Sequence, residues 1–119
     1  MSAKKTFDDD EREAIHDRFV QSVNMEPADL SSWLRTKPSN EVGWPPDRDP
    51  GVESVGHASG RRIVKILKAA KDKLTDDDYA HMRKVAGYVA RHLKQRPKGD
   101  VSNTRWRYSL MNWGHDPLK

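Results

Sequence analysis

Basic and aromatic side chains alternate in the second half of the chain, where their types and spacing suit the binding of a polyanion. Lysine and arginine neutralise phosphates, while tryptophan and tyrosine offer flat faces on which unpaired bases stack. Asn103 and Asn112 can add contacts to phosphates or base edges. The predicted nucleic-acid-binding residues are Arg61, Arg62, Lys65, Lys68, Lys84, Arg91, Arg105 and Arg107.

A glycine-containing stretch before the third predicted helix is a second candidate site. Backbone N–H groups at a helix N-terminus bind phosphate, so Gly56, His57, Ser59 and Gly60 form a candidate phosphate-binding loop. The stretch lacks the spacing and the lysine of a known phosphate loop. The alternative, in which the glycines shape the start of the helix and Ser59 caps it, stays open.

Trp44 stands apart from the other tryptophans, because it lies between Gly43 and two prolines in a segment without helical periodicity. An exposed ring there would anchor a protein partner, whereas a ring packed on the prolines would have no partner to recruit. Trp106, Leu110 and Trp113 recur at helical spacing, which favours core positions for them.

Enzymatic chemistry has little support in this chain, and we expect no enzyme. The absence of cysteine removes disulfides, thiolate metal sites and thiol nucleophiles. His81 and His92 are separated by about 16 Å of helix, too far to share one metal ion. We therefore expect neither a metal nor a cofactor. A hydrolase or lyase that uses His57 and His115 is the weaker alternative.

Charge is distributed unevenly along the chain. Residues 1–50 hold 7 basic and 11 acidic residues, and residues 51–119 hold 15 and 7, which together make the totals of 22 and 18. A basic half is typical of proteins that bind nucleic acid or another polyanion. The sequence has no apolar run long enough to span a membrane and no secretory signal pattern. We expect a cytoplasmic protein with no membrane association.

The periodicity of the apolar residues predicts an all-α fold in a single domain over residues 1–119, with a disordered tail at 1–7. The first helix is predicted at about 8–23, and the second begins at Pro27 and ends near Arg35. Four prolines and three glycines predict a long irregular loop over 36–58. The predicted fold class is therefore all-α. It is a compact bundle of four to five helices, with this loop between helices two and three.

The remaining predicted helices carry the candidate binding residues. Ser59 and Gly60 start the third helix, whose apolar stripe runs from Ile63 to Leu74. Thr75 or Asp76 starts the fourth helix, and a fifth is predicted over 102–113 and closed by Gly114.

Three segments carry a resemblance to a known family. Residues 53–63, 74–85 and 104–119 resemble the family of small proteins catalogued as domain of unknown function 3140. Members of that family are expected to be helical and are often labelled DNA-binding. The resemblance implies a helical fold and a nucleic-acid ligand, and it assigns no individual residue a role.

These observations predict a DNA-binding protein that contacts the phosphate backbone with limited sequence preference, with RNA as a further candidate ligand. DNA binding would associate the protein with the nucleoid. Three carboxylates at 76–78 argue against insertion of the N-terminus of the fourth helix into a groove. Two alternatives stay open: a solvated charged face without a ligand, and a protein-interaction adaptor that uses Trp44 and the aromatic C-terminus.

Overall fold

A computed structural model describes residues 6–119, and within this range it contains six α-helices and one short 3-10 helix. The α-helices are α1 (Asp9–Ser22), α2 (Pro27–Leu34), α3 (Lys37–Glu41), α4 (Val55–Lys68), α5 (Asp76–Leu93) and α6 (Arg105–Asn112), and the 3-10 helix is Lys71–Lys73. The prediction of an all-α bundle is confirmed. The third, fourth and fifth predicted helices correspond to α4, α5 and α6.

Local capping explains where α1 begins. The Asp8 side chain accepts the backbone N–H of Glu11, and the Glu11 side chain accepts the backbone N–H of Asp8. Phe7 is buried in the core, so the predicted disordered tail is too long at its C-terminal end. Residues 1–5 of that prediction lie outside the described residues.

The segment predicted as one long loop over 36–58 is partly helical. Thr36 caps the short helix α3 through a hydrogen bond from the backbone N–H of Ser39. At the other end, Ser54 accepts the backbone N–H of His57 and starts α4 at Val55. The irregular stretch is therefore 42–54, about half the predicted length. It is shorter because one threonine cap and one serine cap start helices inside the predicted loop.

The predicted limits of the third helix are wrong at both ends. Ser59 and Gly60 lie in the interior of α4 instead of at its start. The helix ends at Lys68, and the following residues Ala69 and Ala70 are extended. Leu74 is still buried, but it reaches the core from the connection to α5. The apolar residues therefore keep their helical spacing beyond Lys68, although the backbone there is no longer helical.

Helix α5 begins with the predicted capping arrangement, in which Thr75 and Asp78 exchange backbone-to-side-chain hydrogen bonds. It packs against α1, which contributes Ile15 and Phe19 to the core. Helix α4 lies beside α5 and runs antiparallel to it, because contacts join Ser59 to His81 and Arg62 to Asp78.

Helix α6 closes the bundle through a buried polar residue. Asn112 is fully buried, and its side-chain oxygen accepts the indole N–H of Trp33 at 2.8 Å and the hydroxyl of Ser39 at 2.5 Å. Its amide donates to the Ser39 carbonyl at 3.0 Å. Trp106, Leu110 and Trp113 are buried, which confirms the prediction that they form core.

Candidate nucleic-acid interface

Two antiparallel helices bring basic side chains to one surface, the seam between α4 and α5. His81 of α5 lies in this seam, where its Nε2 is 2.9 Å from the Ser59 hydroxyl oxygen of α4. Burial, together with the smaller effect of the charges of Arg62 and Lys84, lowers the pKa of His81 to about 4. Because one cation is on each helix, the basic faces of α4 and α5 are adjacent.

Four cations form what we call the basic row: Lys65, Lys84 and Arg91 line cavities along the seam, and Lys68 lies one turn after Lys65 on α4. All four are exposed, and none forms an ion pair within residues 6–119. Lys65 lies beside Asp78 in the first turn of α5, and Arg91 lies thirteen residues after Asp78 along that helix. At 1.5 Å per residue, this part of the seam is about 20 Å long.

Arg61 and Arg62 are partly neutralised by neighbouring carboxylates. The Arg61 guanidinium donates to both oxygens of Glu53, at 2.7 and 2.6 Å. Arg61 and His57 together hold the pKa of Glu53 down at about 2 against the cost of burial, with Arg61 the larger contributor. Arg62 pairs with Asp78 at 3.3 Å. Both arginines reach the predicted surface, but each already has an anionic partner.

Arg105 and Arg107 of α6 do not join the basic row. Arg107 is half-buried and pairs with both carboxylate oxygens of Asp116 at 3.1 Å. Arg105 is exposed and lies near the carbonyl of Glu41 in α3, at 3.4 Å. The Asp116 carboxylate therefore neutralises Arg107, whereas Arg105 contacts a backbone carbonyl. The predicted base contact of Asn112 is wrong, because that side chain is fully buried.

The predicted phosphate-binding loop is a packed stretch of helix. A Cβ atom on Gly56 would lie 2.9 Å from Nε1 of Trp113, and one on Gly60 would lie 2.6 Å from the carbonyl oxygen of Asn112. The glycines therefore allow α4 to approach the end of α6 closely. Ser59 is buried and occupied with His81. The prediction is wrong for Ser59 and Gly60, because these two residues lie in the interior of α4. Gly56 and His57 lie in the first turn of α4, where the Ser54 hydroxyl accepts the His57 N–H, and for Gly56 phosphate binding stays a prediction.

The two histidines of the hydrolase alternative occupy separate hydrogen-bond networks. His57 contacts Glu53 through Nδ1 at 2.5 Å and the carbonyl of Leu34 through Nε2 at 2.7 Å. His115 contacts the carbonyl of Ser22 through Nδ1 at 2.7 Å. Each ring thus ties together segments of the bundle.

An aromatic pocket adjoins the Lys84 and Arg91 end of the basic row. It has a volume of about 230 Å³, and Trp44, Tyr88 and Trp113 line it together with both cations. The rings of Tyr88 and Trp113 stack with centroids 4.2 Å apart. Trp44 is 70% exposed. Tyr88 is not among the residues predicted to bind, although its spacing of four from Lys84 and three from Arg91 puts all three on one helix face.

Arg48 holds the Trp44 loop in place. This role is not predicted from the sequence. Its guanidinium donates to the carbonyls of Gly43, Pro45 and Val52 at 3.2, 3.0 and 2.8 Å. The carbonyl of Trp44 also accepts the first N–H of α4, from Val55, at 2.9 Å. No local sequence signal marks an arginine that satisfies loop carbonyls, because its partners are set by the path of the loop.

Residues 6–119 contain neither a candidate membrane-spanning helix nor a candidate metal site. No helix in this range combines the length and the hydrophobicity needed to cross a bilayer. Among the same residues, no group of three or more histidine, aspartate or glutamate side chains is arranged to hold a metal ion.

The sequence of the chain matches one protein-family model. A family model described as "Protein of unknown function (DUF3140)" matches residues 18–111, which is well over half of the chain. The chain belongs to the DUF3140 family. The region matched to DUF3140 includes the whole basic row and Trp44. Neither a curated protein nor a solved structure matches the chain.

Proposed function

We propose that this DUF3140 protein binds nucleic acid, and DNA in particular, through the basic row. The observation that carries the proposal is that Lys65, Lys68, Lys84 and Arg91 make no ion pair within residues 6–119, although acidic residues neutralise Arg61 and Arg62 beside them. Free cations on one surface neutralise phosphates and release counterions. We assign the cytoplasm as its location, in association with the nucleoid.

The dimensions of the row favour contacts to the phosphate backbone. A length of about 20 Å corresponds to about six base pairs at 3.4 Å per pair. Asp76, Asp77 and Asp78 occupy the first turn of α5, the end by which a recognition helix inserts into the major groove. Their charge opposes such insertion, so the flanks of α4 and α5 are the better contact surface. Backbone contacts of this kind carry limited sequence preference.

The salt dependence of binding tests the proposal. Fluorescence anisotropy of a labelled DNA measures affinity at 50 and 200 mM salt. With four phosphate contacts, affinity is expected to fall about 50- to 150-fold between these concentrations. Absence of binding to duplex DNA, single-stranded DNA and RNA at the lower salt concentration would refute the proposal.

A matched pair of double variants locates the surface. Lys65→Glu with Lys68→Glu reverses two charges in the row and should abolish binding at 200 mM salt. Arg18→Glu with Lys98→Glu changes the net charge equally at exposed positions on α1 and after α5. If both variants lose the same affinity, the protein attracts DNA by net charge alone and the assigned surface is wrong.

The exposure of Trp44 favours a second candidate function, an adaptor that binds a protein. An exposed aromatic ring beside a pocket is a common anchor of protein interfaces. Such binding would be nearly indifferent to salt and would be lost on Trp44→Ala, whereas the charge reversals at Lys65 and Lys68 would leave it intact.

A further inference from the structure

We infer that the aromatic pocket receives an unpaired base, so that a single strand is the preferred form of the nucleic acid ligand. The inference rests on the proposed function and names the substrate class of the same surface. Its basis is the juxtaposition of an exposed aromatic ring, an indole N–H without a protein acceptor and two free cations around one cavity.

Trp44 supplies the stacking surface. Its ring is 70% exposed at the mouth of the pocket, and the loop that carries it is held by Arg48 and by the hydrogen bond to Val55. Stacking therefore orders little additional backbone. Tyr88 and Trp113 also line the pocket, but Tyr88 is stacked between Trp113 and His92, and Trp113 between Tyr88 and His81, so these two rings present their edges. A base that enters the pocket therefore stacks on Trp44 and meets the edges of the other two rings.

Trp113 supplies a hydrogen-bond donor that nothing in the described part of the chain uses. The residue as a whole is only 4% exposed, but its indole Nε1 is open to solvent and has no acceptor within residues 6–119. This nitrogen lies over Gly56, where an added Cβ would be 2.9 Å away, and both residues line the pocket. An indole N–H that is open to solvent can donate to water or to a ligand that carries an acceptor. The carbonyl or ring nitrogen of a base provides such an acceptor.

Lys84 and Arg91 supply the charge that distinguishes a nucleotide from an uncharged aromatic ligand. Both line the pocket and neither forms an ion pair in the range 6–119. The Arg91 guanidinium lies back over Gly87, where an added Cβ would be 3.0 Å from Nη1. A phosphate next to the bound base would therefore meet two cations.

Base pairing determines which form of nucleic acid can use this pocket. In a duplex, the bases are stacked on one another and their faces are inaccessible, so entry requires unstacking. In a single strand the bases turn outward and stack on aromatic side chains. The basic row then follows the phosphates on either side of the inserted base.

Three labelled probes of about 12 nucleotides separate base contacts from phosphate contacts: a single strand, its duplex, and a strand of the same length made of abasic sites. The intact strand is expected to bind the protein about 5- to 150-fold more tightly than the abasic strand. Equal binding of all three probes, with steep salt dependence, would overturn this inference and leave the proposed function standing. Failure of every probe to bind at low salt would refute both.

Substitutions at the pocket identify the stacking residue. Trp44→Ala should remove the advantage of the intact strand and leave affinity for the abasic strand unchanged, whereas Trp44→Phe should restore part of it. Val52→Ala is the matched control, because Val52 is an exposed apolar residue of the same loop that does not line the pocket. If Trp44→Ala keeps the full preference for intact single strand, the inference is wrong and Trp44 remains a candidate anchor for a protein partner.

Charge variants test the cationic part independently. Lys84→Gln with Arg91→Gln should weaken binding to the intact and abasic strands by the same factor, and should reduce the salt slope by about two. Arg18→Gln with Lys98→Gln is the control for net charge. A slope that does not differ between these double variants would mean that no phosphate lies at Lys84 and Arg91, and would overturn the assignment of a nucleotide.

Discussion

Replacing glycine by alanine at two positions should change stability in opposite directions. Gly60 lies within α4 and Gly87 within α5, so both substitutions gain the same intrinsic helix preference of about 0.8–1.0 kcal/mol. At Gly87 the new Cβ would meet only the mobile end of Arg91, at 3.0 Å. The guanidinium can move, so Gly87→Ala is expected to stabilise the protein by about 0.5–1 kcal/mol.

Gly60 has no comparable freedom. Its added Cβ would lie 2.6 Å from the carbonyl oxygen of Asn112 and 2.7 Å from Cδ2 of Leu34. The carbonyl belongs to the last turn of α6, so relief requires α4 and α6 to separate. Overpacking costs about 1–3 kcal/mol, and two contacts this short justify the upper end of that range. After the helix gain is subtracted, Gly60→Ala should lose about 2 kcal/mol.

Urea and thermal unfolding, followed by circular dichroism, measure both effects. At about 4 °C per kcal/mol for a chain of this size, Gly60→Ala should melt about 8 °C below the parent and Gly87→Ala about 2–4 °C above it. If Gly60→Ala stabilises the protein as much as Gly87→Ala, then Gly60 is not packed against α6. The glycines of α4 would then be free to form the phosphate-binding loop that is predicted from the sequence.

Two other predictions concern groups that position the candidate site. The pKa of Glu53 is lowered from 4.5 to about 2 in the folded protein, so its contribution to stability is present above pH 4.5 and is lost as the pH falls toward 2. Glu53→Gln should remove this pH dependence in urea titrations, and it should raise DNA affinity with a salt slope about one unit steeper, because Arg61 is released. An unchanged slope would mean that Arg61 makes no phosphate contact. Arg48→Lys should keep the helical circular dichroism signal but weaken the preference for single-stranded over abasic DNA, because one ammonium group cannot replace a fork that donates to several carbonyls. Full retention of that preference would show that Trp44 is positioned without Arg48.

Helix limits could be predicted from sequence wherever a local cap defined them. The carboxylates at the start of α1 and the Thr75–Asp78 pair at the start of α5 form caps within four residues of sequence, and both helices begin where the sequence indicates. The start of α4 was harder to place. Ser54 and Ser59 are both acceptable caps by residue type, and packing of Gly56 and Gly60 against α6 favours the earlier one.

Charge shows the same division between local and long-range information. Composition alone establishes the basic second half, since 15 of the 22 basic residues follow position 50. Which of those cations remain free depends on pairs such as Arg61 with Glu53 and Arg107 with Asp116, and the helix ends and turns bring these pairs together. The residues predicted to bind nucleic acid therefore include arginines, such as Arg61 and Arg107, that the fold pairs with carboxylates.

The sequence by itself determined the all-α class, the amphipathic stripes that form the core and the concentration of positive charge in the second half. Those properties depend on residue type and on spacings of a few positions. The tertiary structure alone decided that the basic faces of α4 and α5 are adjacent. It also decided that Trp44 lines the same pocket as Tyr88 and Trp113. Trp44 is separated from these two partners by 44 and 69 positions along the sequence, and only the packing of the loop against α5 and α6 brings their side chains to one pocket.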